Sequence, residues 1–153
     1  RVGDDDADRQ YRSILDFDTR SLPDDAVVIA LILRIRGEGV AGADPFATHG
    51  RLQVDIRTGA FHHEPALERY DFHAVGSRGR VGRFVAAPPV DWFRATLRPV
   101  AYPLVDLTGR TQFRLRFHLD DDEDGVADYL SFFTGDALVA ADRPELIVRY
   151  YVP

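Results

Sequence analysis

Apolar residues recur at every second position along much of this chain. Val27, Ile29, Leu31, Leu33 and Ile35 alternate with Val28, Ala30, Ile32, Arg34 and Arg36. Leu52, Val54 and Ile56 alternate with Gln53, Asp55 and Arg57, and Phe113, Leu115 and Phe117 with Arg114, Arg116 and His118. Leu146, Val148, Tyr150 and Val152 do the same against Glu145, Ile147, Arg149 and Tyr151. A period of two sends successive side chains to opposite faces of a strand, one of them toward a core. Tyr11, Leu15 and Phe17 predict one face of an opening strand, and Trp92 to Arg98 and Ala127 to Phe133 also read as strands. β-branched and aromatic residues fill these runs, as a pleated surface favours. The pattern predicts burial of Phe17, Leu31, Leu33, Val54, Phe113, Leu115 and Val148.

Turn signals separate the runs: Pro23-Asp24-Asp25, Gly37-Glu38-Gly39, Gly76 to Gly82, Pro88-Pro89, Gly109 and Asp124-Gly125. No stretch carries a helical stripe, and His63 to Tyr70 is the best candidate for a short helix. Under about a tenth of the residues should be helical, and the short, unevenly spaced strands predict an all-β fold. The expected fold is a single antiparallel β-sandwich over residues 1–153, jelly-roll-like in topology.

Composition narrows the picture. The 153 residues, 45% apolar and 29% charged, suit one globular domain. The absence of Cys rules out disulfides, thiolate metal sites and a Cys nucleophile. Met, Lys and Asn are absent too, and all 19 basic residues are Arg. That fits codon bias in a GC-rich genome, selection for durability outside the cell, or both. The lack of a starting Met suggests a processed product or a domain of a longer chain. The net charge of -6 argues against a nucleic-acid partner, which needs a basic face. The longest apolar run, Ala26 to Leu33, falls well short of the roughly 18 residues of a spanning helix.

Nothing here spells out catalysis. Adjacent strand residues such as His62 and His63 point apart, and Gly76-Ser77-Arg78-Gly79 does not fit a nucleophile elbow. Carboxylate pairs are too common in an Asp-rich chain to discriminate. The chain reads as a non-enzyme.

The acidic runs carry more information. Asp120, Asp122, Asp124, Gly125 and Asp128 form D-x-D-x-D-G-x-x-D, with oxygen ligands on alternate residues of a tight loop, as in a Ca2+ loop. Val126 would offer its carbonyl. The twelfth position is Ser131 rather than Glu and no helix flanks the loop, so an EF-hand is excluded. Asp-Gly also forms turns without an ion, but successive acids repel unless a cation compensates. Ca2+ is therefore expected at Asp120, Asp122, Asp124, Val126 and Asp128. Asp4, Asp5 and Asp6, in the second run with Asp8, are candidates for the same site or a separate one.

Arg34, Arg36, Arg57, Arg114 and Arg116 fall on the polar side of their strands. Two uses are open to them. They can pair across strands with carboxylates such as Asp16, Asp55 and Glu145. They can also line a groove for an acidic polysaccharide, with guanidinium forks on carboxylates.

The blocks Arg1-Val2-Gly3-Asp4-Asp5, Tyr11 to Thr19, Leu22 to Arg36, Thr111 to Phe117, Ala127 to Ala137 and Arg143 to Pro153 together resemble the DNRLRE-type, carbohydrate-binding-module-like jelly rolls of large secreted bacterial proteins. The resemblance implies a non-catalytic extracellular or cell-surface module. Such domains have a further strand upstream of the Arg-Val-Gly block, so either the sandwich lacks its first strand or that strand lies upstream in the same protein. In the first case the sandwich edge would accept a strand from another copy or a neighbouring domain, building a filament or a larger protein. The alternative is a glycan-binding domain of a secreted enzyme or adhesin.

Overall fold

A computed structural model describes residues 1–153 as an antiparallel two-sheet fold, 42% strand and 13% helical turn. One sheet contains β1 (Val2–Asp4), β2 (Gln10–Tyr11), β4 (Val27–Ala41), β7 (Trp92–Thr96), β9 (Tyr129–Phe132) and β10 (Glu145–Tyr151). The other has the order β3-β8-β5-β6, formed by β3 (Ser13–Asp18), β8 (Arg110–Phe117), β5 (Leu52–Thr58) and β6 (Arg78–Arg83). The chain changes sheet at most connections. This is the expected all-β sandwich.

The spine is β4, 15 residues long. Leu33 pairs with Ala95 of β7 on one side and Leu146 of β10 on the other. Gly37 donates its N–H to Asp91 on the β7 side at 3.0 Å, while the Arg36 carbonyl accepts from Phe133 at 2.9 Å on the opposite side. So β9 lies on the same edge of β4 as β10, the two end to end. β1 pairs outside β9, with Val2 opposite Leu130. The line of β1 extended past Arg1 therefore runs beside β10, whose outer edge has no partner strand.

The inner faces meet in a core of 20 buried residues that includes Leu31, Leu33, Ile35, Val54, Ile56, Phe113 and Leu115. Fully burying side chains of this size contributes about 1.5–3 kcal/mol each. At one flank the sheets fold onto each other. Val85 bridges to Arg94, and Arg98 donates its N–H to the Val81 carbonyl at 2.8 Å.

Several elements depart from the pattern in the sequence. Gly76 to Gly82 reads as a turn, yet Arg78–Arg83 is β6. Its one apolar anchor, Val81, is fully buried, and Gly82 lets Leu97 approach. Backbone pairing to β5 forms this strand rather than side-chain propensity. The opening strand is broken at Arg12: β2 joins the first sheet and β3 the second. His63 to Tyr70 is not a helix. Two short 3₁₀ turns, Phe61–His63 and Arg69–Phe72, bracket an extended link, and turns of this kind bring the helical share above the expected tenth. Phe17 and Val148 are only partly buried, because both lie on edge strands, Phe17 on β3 and Val148 on β10, whose outer edge is open.

Candidate metal centre

Strand β1 and the loop from β8 to β9 are laced together by their backbones. Asp4 donates its N–H to the Asp128 carbonyl, and Asp128 donates its own to Asp4 Oδ1, both at 3.0 Å. This exchange needs two glycines. At Gly3, with φ +129, a Cβ would collide with the Asp128 carbonyl. At Gly42, with φ +69, a Cβ would collide with the Ala127 carbonyl and Asp128 Oδ1. Ala43 donates its N–H to that same Oδ1 at 2.6 Å.

The lacing gathers carboxylates from both acidic runs. Oxygens of Asp4, Asp8 and Asp122 lie within 4.8 Å of one another, and so do oxygens of Asp122, Asp124 and Asp128, which makes Asp122 common to both groups. Asp4 and Asp128 are buried at 0% and 1% exposure, yet Asp4 Oδ2, Asp128 Oδ2 and Asp122 Oδ1 have no hydrogen-bond partner. Buried polar atoms are normally satisfied. Desolvation first, and then the negative charge of Asp124, push the Asp122 carboxyl above its ordinary range.

A buried histidine closes the inner side. His49 has 0% exposure, and its Nε2 lies 3.2 Å from Asp4 Oδ1 without a well-aligned hydrogen bond. Its Nδ1 lies 2.8 Å from the Thr48 hydroxyl. The imidazole thus backs Asp4, while the orphaned oxygens form an all-oxygen donor set of the kind Ca2+ takes.

The structure sorts the predicted ligands. Asp122 meets Asp4 and Asp8 in one group and Asp124 and Asp128 in the other. Asp5 turns away to hold Arg9, whose Nε lies 2.8 Å from its Oδ2, and Asp6 and Asp120 are exposed and in neither group. The Val126 N–H donates to Asp124 Oδ1 at 2.7 Å. The contribution of Asp8 arises in three dimensions, where it accepts the Gly125 N–H at 3.0 Å from 117 residues away.

The five strand arginines do not form a common groove. Arg34 pairs with Glu145 at 2.8 Å and Arg36 with Asp142. Arg114 and Arg116 both bind Asp55 Oδ2, at 3.0 and 3.1 Å, and Arg57 donates to the Ala60 and Val75 carbonyls. Of the two uses open to them, internal pairing holds four. His62 and His63 sit in a 3₁₀ turn with ring centroids 6.5 Å apart, and His62 stacks on Tyr70 at 5.3 Å.

Comparison with protein-family models, curated proteins and solved structures finds no match. No helix is long and apolar enough to cross a membrane.

Proposed function

We propose that this chain is a non-catalytic extracellular structural module, stabilised by Ca2+ and joined to its neighbours by strand addition along β10. The observation that carries the reading is the open edge of β10, in line with β1. An extended strand from a neighbouring copy, antiparallel to β10, would satisfy the unpaired backbone groups there. It would also cover apolar surface, since Ile29, Ile147, Tyr150, Tyr151 and Val152 are each at least 40% exposed. Ca2+ held by Asp4, Asp8, Asp122, Asp124 and Asp128 would neutralise a set of carboxylates that otherwise repel. It would also fix β1, which leads into the lane beside β10.

Light scattering across a concentration series, with hydrogen exchange on the assembled material, tests the reading. Concentration-dependent assembly that newly protects β10 amides is expected. A stable monomer at every concentration overturns it.

A further inference from the structure

Arg51, Arg80, Arg83 and Arg98 line one cleft of about 820 Å3 with Gln53 and His118, and neither a carboxylate nor an apolar side chain lines it. None of the four arginines joins an ion pair. The one hydrogen bond that their guanidiniums make within the protein runs from Arg98 Nη2 to the Arg80 carbonyl, at 2.6 Å. In a chain of net charge -6, unneutralised cations gathered in this way make a local anion site.

The floor of the cleft is tied to the Asp55 network. Arg80 adopts φ +54, a conformation uncommon outside glycine. Its N–H is tied at 2.9 Å to Asp55 Oδ1, the carboxylate that also holds Arg114 and Arg116. Gln53 is 9% exposed and its Oε1 has no partner, while its Nε2 lies 3.4 Å from His118 Nδ1. An unpaired amide acceptor in the wall of a cleft that guanidiniums also line suits a ligand that carries a hydroxyl donor next to an oxyanion. Sugars with carboxylate or sulfate groups have that combination. A polyphosphate chain supplies only the anion.

The cleft continues sideways. A second lobe of about 500 Å3 shares Arg83 and Thr96 with it and adds Arg94 beside the apolar Val85, Ala86, Ala87 and Trp92. A track of this length, cationic and edged by an aromatic ring, fits a polymer better than a single small anion.

We infer that this track binds an acidic polysaccharide, with carboxylate or sulfate groups on the arginine forks and a hydroxyl on Gln53 Oε1. The site shares no residue with the calcium cluster or the β10 edge. The test is calorimetry and affinity electrophoresis of the full chain with polygalacturonate, dextran sulfate, uncharged dextran and single-stranded DNA. Binding to a carboxylated or sulfated polymer is expected, with none to dextran, and the stronger of the two tells uronate from sulfate. Arg83→Glu/Arg98→Glu should weaken binding by about tenfold or more, the scale of losing charge-assisted contacts. Arg20→Glu/Arg69→Glu, with the same change in net charge and both residues away from the cleft and from β10, should leave binding nearly unaltered. Failure to bind either acidic polymer, equal losses in both double variants, or equally strong binding to DNA overturns the inference.

Discussion

Arg114 Nη2 lies 3.0 Å from Asp55 Oδ2, in the buried layer between β5 and β8. Arg116 Nε reaches the same oxygen at 3.1 Å, and the Arg80 N–H binds the other oxygen at 2.9 Å. Arg114 also donates to the carbonyls of Asp71, Phe72 and Ala74. One carboxylate therefore links β5, β6 and β8 to the segment around the 3₁₀ turns.

That linkage makes stability depend on pH. Burial alone would raise the Asp55 carboxyl, but the Arg80 N–H and the two guanidiniums outweigh it and hold it below the ordinary carboxylate value. A depressed folded-state pKa contributes stability above the unfolded value of about 4, and that stability is lost as pH falls through the folded value. Urea midpoints should thus drop with acid below about pH 4 in the wild type. Asp55→Asn should flatten this part of the curve. It should also lower stability at neutral pH by about 3–5 kcal/mol, because it leaves a buried cation unpaired. An unchanged pH slope in the variant would count against the linkage.

Calcium should act through the folded state alone. At 100 times Kd it would add about 2.7 kcal/mol, or roughly 5–10 °C in melting temperature for a domain of this size. EDTA should reverse the gain. Asp122→Asn should abolish it, because Asp122 belongs to both oxygen groups. Asp120→Asn and Asp6→Asn should retain it, since neither residue reaches the cluster. Scanning calorimetry of the four proteins with and without Ca2+ decides the matter, and a melting temperature indifferent to Ca2+ in the wild type removes the ion.

The strands legible in the sequence are β4, β5, β8 and β10, whose apolar side chains alternate, and β7 and β9, read from Trp92 to Arg98 and Ala127 to Phe133. β6 was not legible, because its Arg-Gly-Arg-Val-Gly-Arg sequence has one apolar side chain and is held by backbone pairing. The break at Arg12 follows from two sheets competing for one segment, which alternation alone does not encode. Within the acidic runs the loop spacing indicated Asp122, Asp124 and Asp128. It could not show that Asp5 is taken by Arg9, or that His49 stands behind Asp4. Pairing of the strand arginines with Asp55 and Glu145 was legible, but polar-face alternation could not show that two arginines share Asp55 or that Arg36 takes Asp142. The cleft arginines come from β6, from the chain leading into β5 and from the chain leaving β7, and no sequence interval links them.

Two glycines separate close packing from backbone conformation. Gly42 and Gly50 both have positive φ, +69 and +79, but only at Gly42 would a Cβ meet the Ala127–Asp128 segment. Gly50→Ala should cost only the left-handed conformation, about 1–2 kcal/mol. Gly42→Ala should cost clearly more, and it should also shrink the calcium-dependent gain in melting temperature by displacing Asp128. Urea unfolding in Ca2+ and in EDTA reads both quantities, and equal behaviour of the two variants would contradict this packing.

The edge of β10 admits a sharper test. Leu97 donates its N–H to the Leu31 carbonyl at 2.9 Å, so Leu31 turns its polar backbone groups toward β7. Val148 is the register partner of Leu31 on the other side of β4. In an antiparallel ladder that pairing turns the Val148 N–H and carbonyl outward, into the open lane. Val148→Pro therefore removes a donor from the free edge and leaves the β4–β10 ladder its hydrogen bonds. Ile147→Lys offers an independent block by placing a charge on the exposed face of the same strand. A strand that hides a few hundred Å2 of apolar surface would contribute several kcal/mol, at about 25 cal/mol per Å2, before the cost of ordering it. Both variants should melt within a few degrees of the wild type and lose concentration-dependent assembly in light scattering. If both assemble as the wild type does, β10 is not the joint. If the wild type itself stays monomeric while the arginine cleft binds acidic polymer, the molecule is a glycan-binding module and the open edge carries no partner.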